Sequence, residues 1–167
     1  MKSFKFLFIF LFAFQFTMAQ NALPKKMKTQ FVGTWSLVAI ENTNADGSKT
    51  FPYGEKPEGL LFFTENGEYA IQILKAERPK VKANDKSRAT PEENVALVKG
   101  GNSHFGTYSV DATNHTIKFN VEHAFYPNWE GVEQIRSYTL KNGLLSYIVT
   151  NTTNGGAITA KVVWKKK

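Results

Sequence analysis

The residues best equipped for proton transfer are the three histidines, His104, His115 and His123. An imidazole titrates near neutrality, so two that reach one cavity could act as general acid and base. His115 follows the turn signal Asp111 to Asn114 and is read as solvated. His104 stands in a strand pattern after Gly100 and Gly101, and His123 continues the alternation of Phe119 and Val121, so both could face one interior. Tyr108 would add a phenol. His104, Tyr108 and His123 are therefore the candidate catalytic groups for an isomerisation, cyclisation or dehydration that needs no cofactor. Glu122 points away from His123, so that strand supplies no His–Glu dyad. The histidine spacing gives no zinc signature, and no metal site is expected. No nucleophile elbow, phosphate loop or dinucleotide fingerprint is present, and no cofactor is expected. The chain has no cysteine, which excludes disulfides, a thiolate nucleophile and a thiol for lipid attachment.

Arg136 falls in a strand whose one face reads Val132, Gln134, Arg136, Tyr138 and Leu140, and whose other face reads Glu133, Ile135, Ser137 and Thr139. An arginine in the row that carries the large apolar residues must be buried and paired, or sit at a cavity mouth. In a pocket it could hold a carboxylate or phenolate through bidentate hydrogen bonds. Trp35, Phe63, Tyr69, Tyr108, Phe119, Tyr138, Tyr147 and Trp164 are read as inward. Such aromatics can wall a pocket or fill a core. Trp129 follows Pro127 and Asn128 in a loop closed by Gly131, where it could shape a pocket mouth or serve the turn alone. The candidate ligand-binding set is Trp35, Phe63, Tyr69, Tyr108, Phe119, Trp129, Arg136 and Tyr138.

These residues must be positioned by strands. Asp46-Gly47, Asn66-Gly67 and Asn142-Gly143 are two-residue hairpin signals, because these residue types tolerate positive φ. Asp111 to Asn114 and Gly155-Gly156 mark two further turns. Between them the sequence predicts strands near 33–41, 48–53, 59–64, 68–75, 104–110, 115–124, 132–140, 144–151 and 157–165. Residues 76–100 are polar and charged and interrupt the series. Within them Thr90, Pro91 and Glu93 spell a capped helix start, which predicts one short helix near 91–99. An all-β fold follows. Neighbouring hairpins favour a roughly eight-stranded antiparallel up-and-down barrel over a two-sheet sandwich, since closure removes free strand edges.

The ends of the chain carry separate information. Lys2 and Lys5 precede an unbroken apolar run from Phe6 to Phe14, then a polar step leads to Met18, Ala19 and Gln20. That is the layout of a secretory signal peptide, and the run is shorter than the ~20 residues a membrane span needs. Residues 1–20 are read as the leader and 21–167 as one β-barrel domain, exported to the periplasm or the medium. Formal charge is +7, much of it at Lys25, Lys26 and Lys28 and at Lys165 to Lys167. Basic ends give at most a weak, salt-screened attraction to anionic surfaces. No basic stripe interleaved with exposed aromatics is seen, so no nucleic-acid partner is expected.

Four stretches together resemble a family. Phe31-Val32-Gly33-Thr34-Trp35, Pro52-Tyr53-Gly54-Glu55 with Gly59, Phe105-Gly106-Thr107-Tyr108, and Pro127-Asn128-Trp129-Glu130-Gly131 leading to Arg136 resemble the lipocalin-like domain of bacterial and fungal proteins. The resemblance covers about residues 30–150 and implies a calycin-type barrel with an internal cavity. It also implies a structural alternative for Arg136, stacking on Trp35 to close the base of the barrel. Related sequences often carry paired histidines just before a Val-Glu, where this chain has Phe119 and Asn120 before Val121 and Glu122. An activity that relied on that pair would be missing.

Three functions are compatible with this reading: a monomeric carrier of a small hydrophobic or amphipathic molecule, a cofactor-free isomerase, cyclase or lyase, or a filled barrel that meets a partner. Export predicts that the mature protein begins at Gln20 or Asn21, which N-terminal mass measurement of the protein recovered outside the cytoplasm would check. Retention of Met1 through Ala19 would mean an anchor instead.

Overall fold

The computed structural model describes residues 29–150, 152–153 and 158–167. The expected leader and the Gly155-Gly156 turn lie outside the described residues. The strands are β1 (Gly33–Thr43), β2 (Lys49–Thr50), β3 (Glu58–Phe63), β4 (Glu68–Leu74), β5 (Gly101–Asp111), β6 (Thr116–Ala124), β7 (Glu133–Lys141), β8 (Leu144–Val149) and β9 (Thr159–Lys166), with one α-helix, α1 (Pro91–Lys99). Each strand pairs antiparallel with its neighbour in the order β2-β1-β3-β4-β5-β6-β7-β8-β9, and β1 also pairs β9. The result is a closed eight-stranded antiparallel barrel with β2 as a two-residue addition to the end of β1.

Local chemistry explains the boundaries. Asn142 and Gly143 take φ of 52° and 72°, the pair of positive values a type I′ hairpin requires. The strand predicted over 48–53 shortens to 49–50. Pro52 has no N–H to give a ladder, and the Gly54 N–H donates to the Phe51 carbonyl, so the chain turns there. Helix α1 begins where its cap predicts: the Thr90 hydroxyl accepts from the Glu93 N–H and the Glu93 carboxylate accepts from the Thr90 N–H. Gly100 ends the helix, whereas Gly101 already belongs to β5.

The end of the barrel at the start of β1 is filled. Residues 29–31 are helical, and Phe31 plugs this base edge-on against Tyr138 (5.1 Å) and Phe63 (6.1 Å). Trp35 is fully buried and its indole N–H donates to the Phe31 carbonyl at 2.8 Å. The cation over Trp35 is Lys166, with Nζ 5.4 Å from the ring. Lys166 also donates to the carbonyls of Gln30 (2.8 Å) and Thr29 (3.4 Å), where a cation meets the negative end of the helical turn. The alternative in which Arg136 stacks on Trp35 is therefore corrected. Arg136 lies further up the barrel, on β7, and the last strand supplies the closing cation.

Two bulges decide which side chains face inward. On β1 the register shifts between Leu37 and Ala39, so Val38 turns outward and the inward set passes from Trp35 and Leu37 to Ile40 and Asn42. On β6, His123 opposes Phe105 while Val121 opposes Gly106, leaving Glu122 as the extra residue. The strands come so close at this bulge that a Cβ on Gly106 would lie 2.1 Å from the Asn120 carbonyl oxygen and 2.9 Å from the Glu122 nitrogen. Gly106→Ala should therefore cost ~3 kcal/mol or more in urea unfolding, because two strands must part. Gly131→Ala, at φ +73° with open space around it, should cost only about 1 kcal/mol. Equal losses at the two sites would contradict this account.

Candidate functional site

Above the filled base the interior changes character. Four polar or charged side chains are buried in the described protein, Asn42, Asn102, His104 and Arg136, and all four line a cavity of about 60 Å³ toward the other end of the barrel. Its walls are aliphatic, from Ile40, Ile73, Val149, Ala160 and Val162, and Trp129 and Tyr53 lie at its edge. The cavity shares Pro52, Tyr53, Asn102 and Thr153 with a wider vestibule of about 640 Å³, whose other walls include Val98, Phe125, Tyr126 and Pro127. Pockets for drug-sized ligands run to ~300–1,000 Å³. The inner cavity thus has room for a head group only, and the vestibule has room for a body.

Arg136 is 3 % exposed. Its guanidinium lies between two rings, 4.6 Å from the Phe119 centroid and 4.9 Å from that of Tyr147, contacts worth ~2 kcal/mol when desolvated. Nη2 donates to Gln134 Oε1, but Nε is buried without a partner. The ion pairs among the described residues are Lys49–Glu41, Arg88–Asp85, Lys118–Glu133 and His123–Glu130. None includes Arg136, so a buried cation stands without a carboxylate. Asn102 Oδ1 is also buried without a partner. Above Tyr138 strands β7 and β8 no longer pair. A cleft of about 190 Å³ opens between them beside Trp129, Gln134, Arg136 and Val149.

His104 is 3 % exposed, and its Nδ1 lies 2.8 Å from the Tyr69 hydroxyl. Burial, and secondarily the charge of Arg136, holds its pKa well below the ordinary imidazole value. Burial raises the Tyr69 hydroxyl, with Arg136 opposing. The same two effects act on Tyr147. Burial also raises Tyr53, which the Asn102 amide offsets.

The three proposed catalytic groups do not converge. Tyr108 sits toward the filled base and donates to the Thr64 carbonyl at 3.0 Å. His123 was expected to share the face of Phe119; the Glu122 bulge reverses it, and its side chain is 67 % exposed beside Glu130 at 3.6 Å. Only His104 reaches the cavity. Of the proposed ligand-binding set, Arg136 and Trp129 line the cavity, the latter with its ring 5.5 Å from His104. Tyr69 and Phe119 pack beneath them. Trp35, Phe63, Tyr108 and Tyr138 belong to the base. The sequence reading missed Asn42, whose inward position depends on the β1 bulge, and Asn102, which was open to detection because it alternates in phase with His104. No cluster of three or more metal-ligating side chains occurs among the described residues.

Residues 32–167 match the family model described as lipocalin-like domain, and the chain belongs to that family. The lipocalin-like barrel is a fold suited to small-molecule binding in general. Among solved structures the chain is similar to a redesigned β-barrel, with 13 % identity and a TM-score of 0.43 over 84 % of this chain and 94 % of that one. No curated protein matches the chain.

The environment of His104 predicts acid sensitivity. The folded barrel excludes a proton that the unfolded chain takes up below pH ~6.5, so stability should fall as pH drops from about 7 to about 5, by up to ~1.4 kcal/mol per unit. His104→Gln, whose amide oxygen can accept from Tyr69, should flatten that slope in urea unfolding. An unchanged slope would assign the acid sensitivity to other groups.

Proposed function

We propose that this protein binds a small amphipathic molecule, with its polar end against Arg136 in the inner cavity and its apolar body in the vestibule. The observation that carries the reading is the buried guanidinium without a carboxylate partner among the described residues. An unpaired charge in a low-dielectric interior is costly, and this one faces a cavity beneath aliphatic walls rather than a packed core. The filled base supports the same reading, since it leaves access to Arg136 from the other end and from the β7–β8 cleft. Export to the periplasm or the medium is part of the proposal and rests on the composition of residues 1–20. The geometry gives the catalytic alternative little support, because His104 stands apart from Tyr108 and His123.

The test uses Nile red as an uncharged amphipathic probe, together with mass spectrometry of small molecules released from the purified protein by denaturation. The protein should give saturable one-to-one Nile red fluorescence or carry a stoichiometric compound. Ala160→Phe, which fills the inner cavity, should abolish either signal. Arg136→Met should stay within about 1 kcal/mol of wild type in unfolding, since lost ring contacts and relieved charge burial oppose each other. It should weaken binding about tenfold. A folded protein that takes up no probe and carries no compound would overturn the reading.

A further inference from the structure

The pairing of Tyr69 with His104 bears on which ring nitrogen of His104 carries a proton. Tyr69 is 3 % exposed, and a buried phenol O–H needs an acceptor. Its hydrogen-bond partner is His104 Nδ1 at 2.8 Å. If Tyr69 donates, Nδ1 holds the lone pair, and in a neutral imidazole the proton then resides on Nε2. The reverse arrangement would leave the Tyr69 O–H without an acceptor in the interior.

Neutrality of the ring has independent geometric support. His104 is enclosed by Tyr69, Phe119 and Trp129 (ring centroids 5.4, 6.2 and 5.5 Å) and shares the cavity with the Arg136 cation. No carboxylate pairs with it among the described ion pairs. The cavity is therefore lined by a neutral imidazole, His104, and by the Arg136 guanidinium, and neither has a carboxylate partner among the described residues. A neutral His104 with its proton on Nε2 cannot act there as a general base, which separates this site from proton-abstraction chemistry.

We propose that this pair is a carboxylate clamp, in which Arg136 and the Nε2–H of His104 hold the oxygens of an apolar carboxylic acid and Tyr69 is the positioning residue that keeps the proton on Nε2. The proposal rests on the reading of the cavity as a binding site and deepens it by naming the ligand class. A guanidinium presents a planar fork that matches two carboxylate oxygens, and charge-assisted bonds of this kind are the strong ones. The aliphatic side chains of Ile40, Val149 and Val162, which line the same cavity, suit the carbons next to the carboxylate.

Two measurements on the full protein test it. The first is nitrogen-15 NMR of the imidazoles near neutral pH, which reads the tautomer without any ligand. His104 should be protonated on Nε2 in the wild type, and Tyr69→Phe should release that preference. Protonation of His104 on Nδ1 in the wild type would overturn the clamp. The second is titration calorimetry with decanoate and with decanol, which share a chain and differ in head group. Decanoate should bind at least ~10-fold tighter. Tyr69→Phe should weaken decanoate by several-fold and leave decanol unchanged, a split that a merely structural role would not produce. Equal affinity for the two probes would overturn the clamp while leaving the binding reading intact. Failure of both probes to bind the folded wild type would remove the binding reading, and the clamp with it.

Discussion

Closure of the sheet between β1 and β9 is the constraint on which the rest of the molecule depends. β1 joins the first and last parts of the chain, pairing with β3 through Gly33–Ser36 on one edge and with β9 through Trp35–Thr43 on the other. Trp35 lies in both pairings, and what surrounds it seals the seam: Phe31 accepts its indole N–H, and Lys166 from the final strand covers its ring and holds the carbonyls of the preceding helical turn. The two ends of the described chain are thereby tied at one point. Without cysteines, this packing and the backbone ladder bear the work that a disulfide could otherwise do.

A closed eight-stranded barrel is just wide enough for side chains to fill it or for one small ligand to replace some of them. This barrel is filled at one end and keeps a cavity at the other. The base is packed with Phe31, Trp35, Phe63, Tyr108 and Tyr138, while the other end substitutes aliphatic and polar groups for rings and leaves space. The change occurs at Phe119, whose ring touches the base aromatics on one side and Arg136 on the other. Arg136 thus rests on a rigid aromatic platform, and the partial charge of two ring faces offsets some of the cost of burying it. Because β7 leaves β8 above Tyr138, the guanidinium stands beside a break in the wall rather than inside a continuous one.

Much of the fold was legible because its signals are local. Asn142-Gly143 must turn, Thr90, Pro91 and Glu93 must start a helix, and the rows Ile117, Phe119, Val121 and Ala160, Val162, Trp164 must face one way. Arg136 was legible as an anomaly for the same reason: it interrupts an apolar row. Tyr69 and His104 were each singled out, yet their hydrogen bond joins β4 to β5, and its significance lies in which atom meets which across that register.

What the sequence by itself determined was the order and approximate places of the strands, the helix, the hairpin connections and the row in which Arg136 stands, since each depends on residues a few positions apart. Only the tertiary structure decided how those rows aim. The bulges at Val38 and Glu122 reverse inward and outward parity, which brings Asn42 into the cavity and turns His123 out to solvent. It likewise decided that Lys166 rather than Arg136 closes the base, because that choice depends on where β9 meets β1 around the barrel. The physical reason is common to all three: side-chain alternation is a local rule, whereas closure fixes register over the whole circumference, and a single extra residue changes which face every later side chain meets.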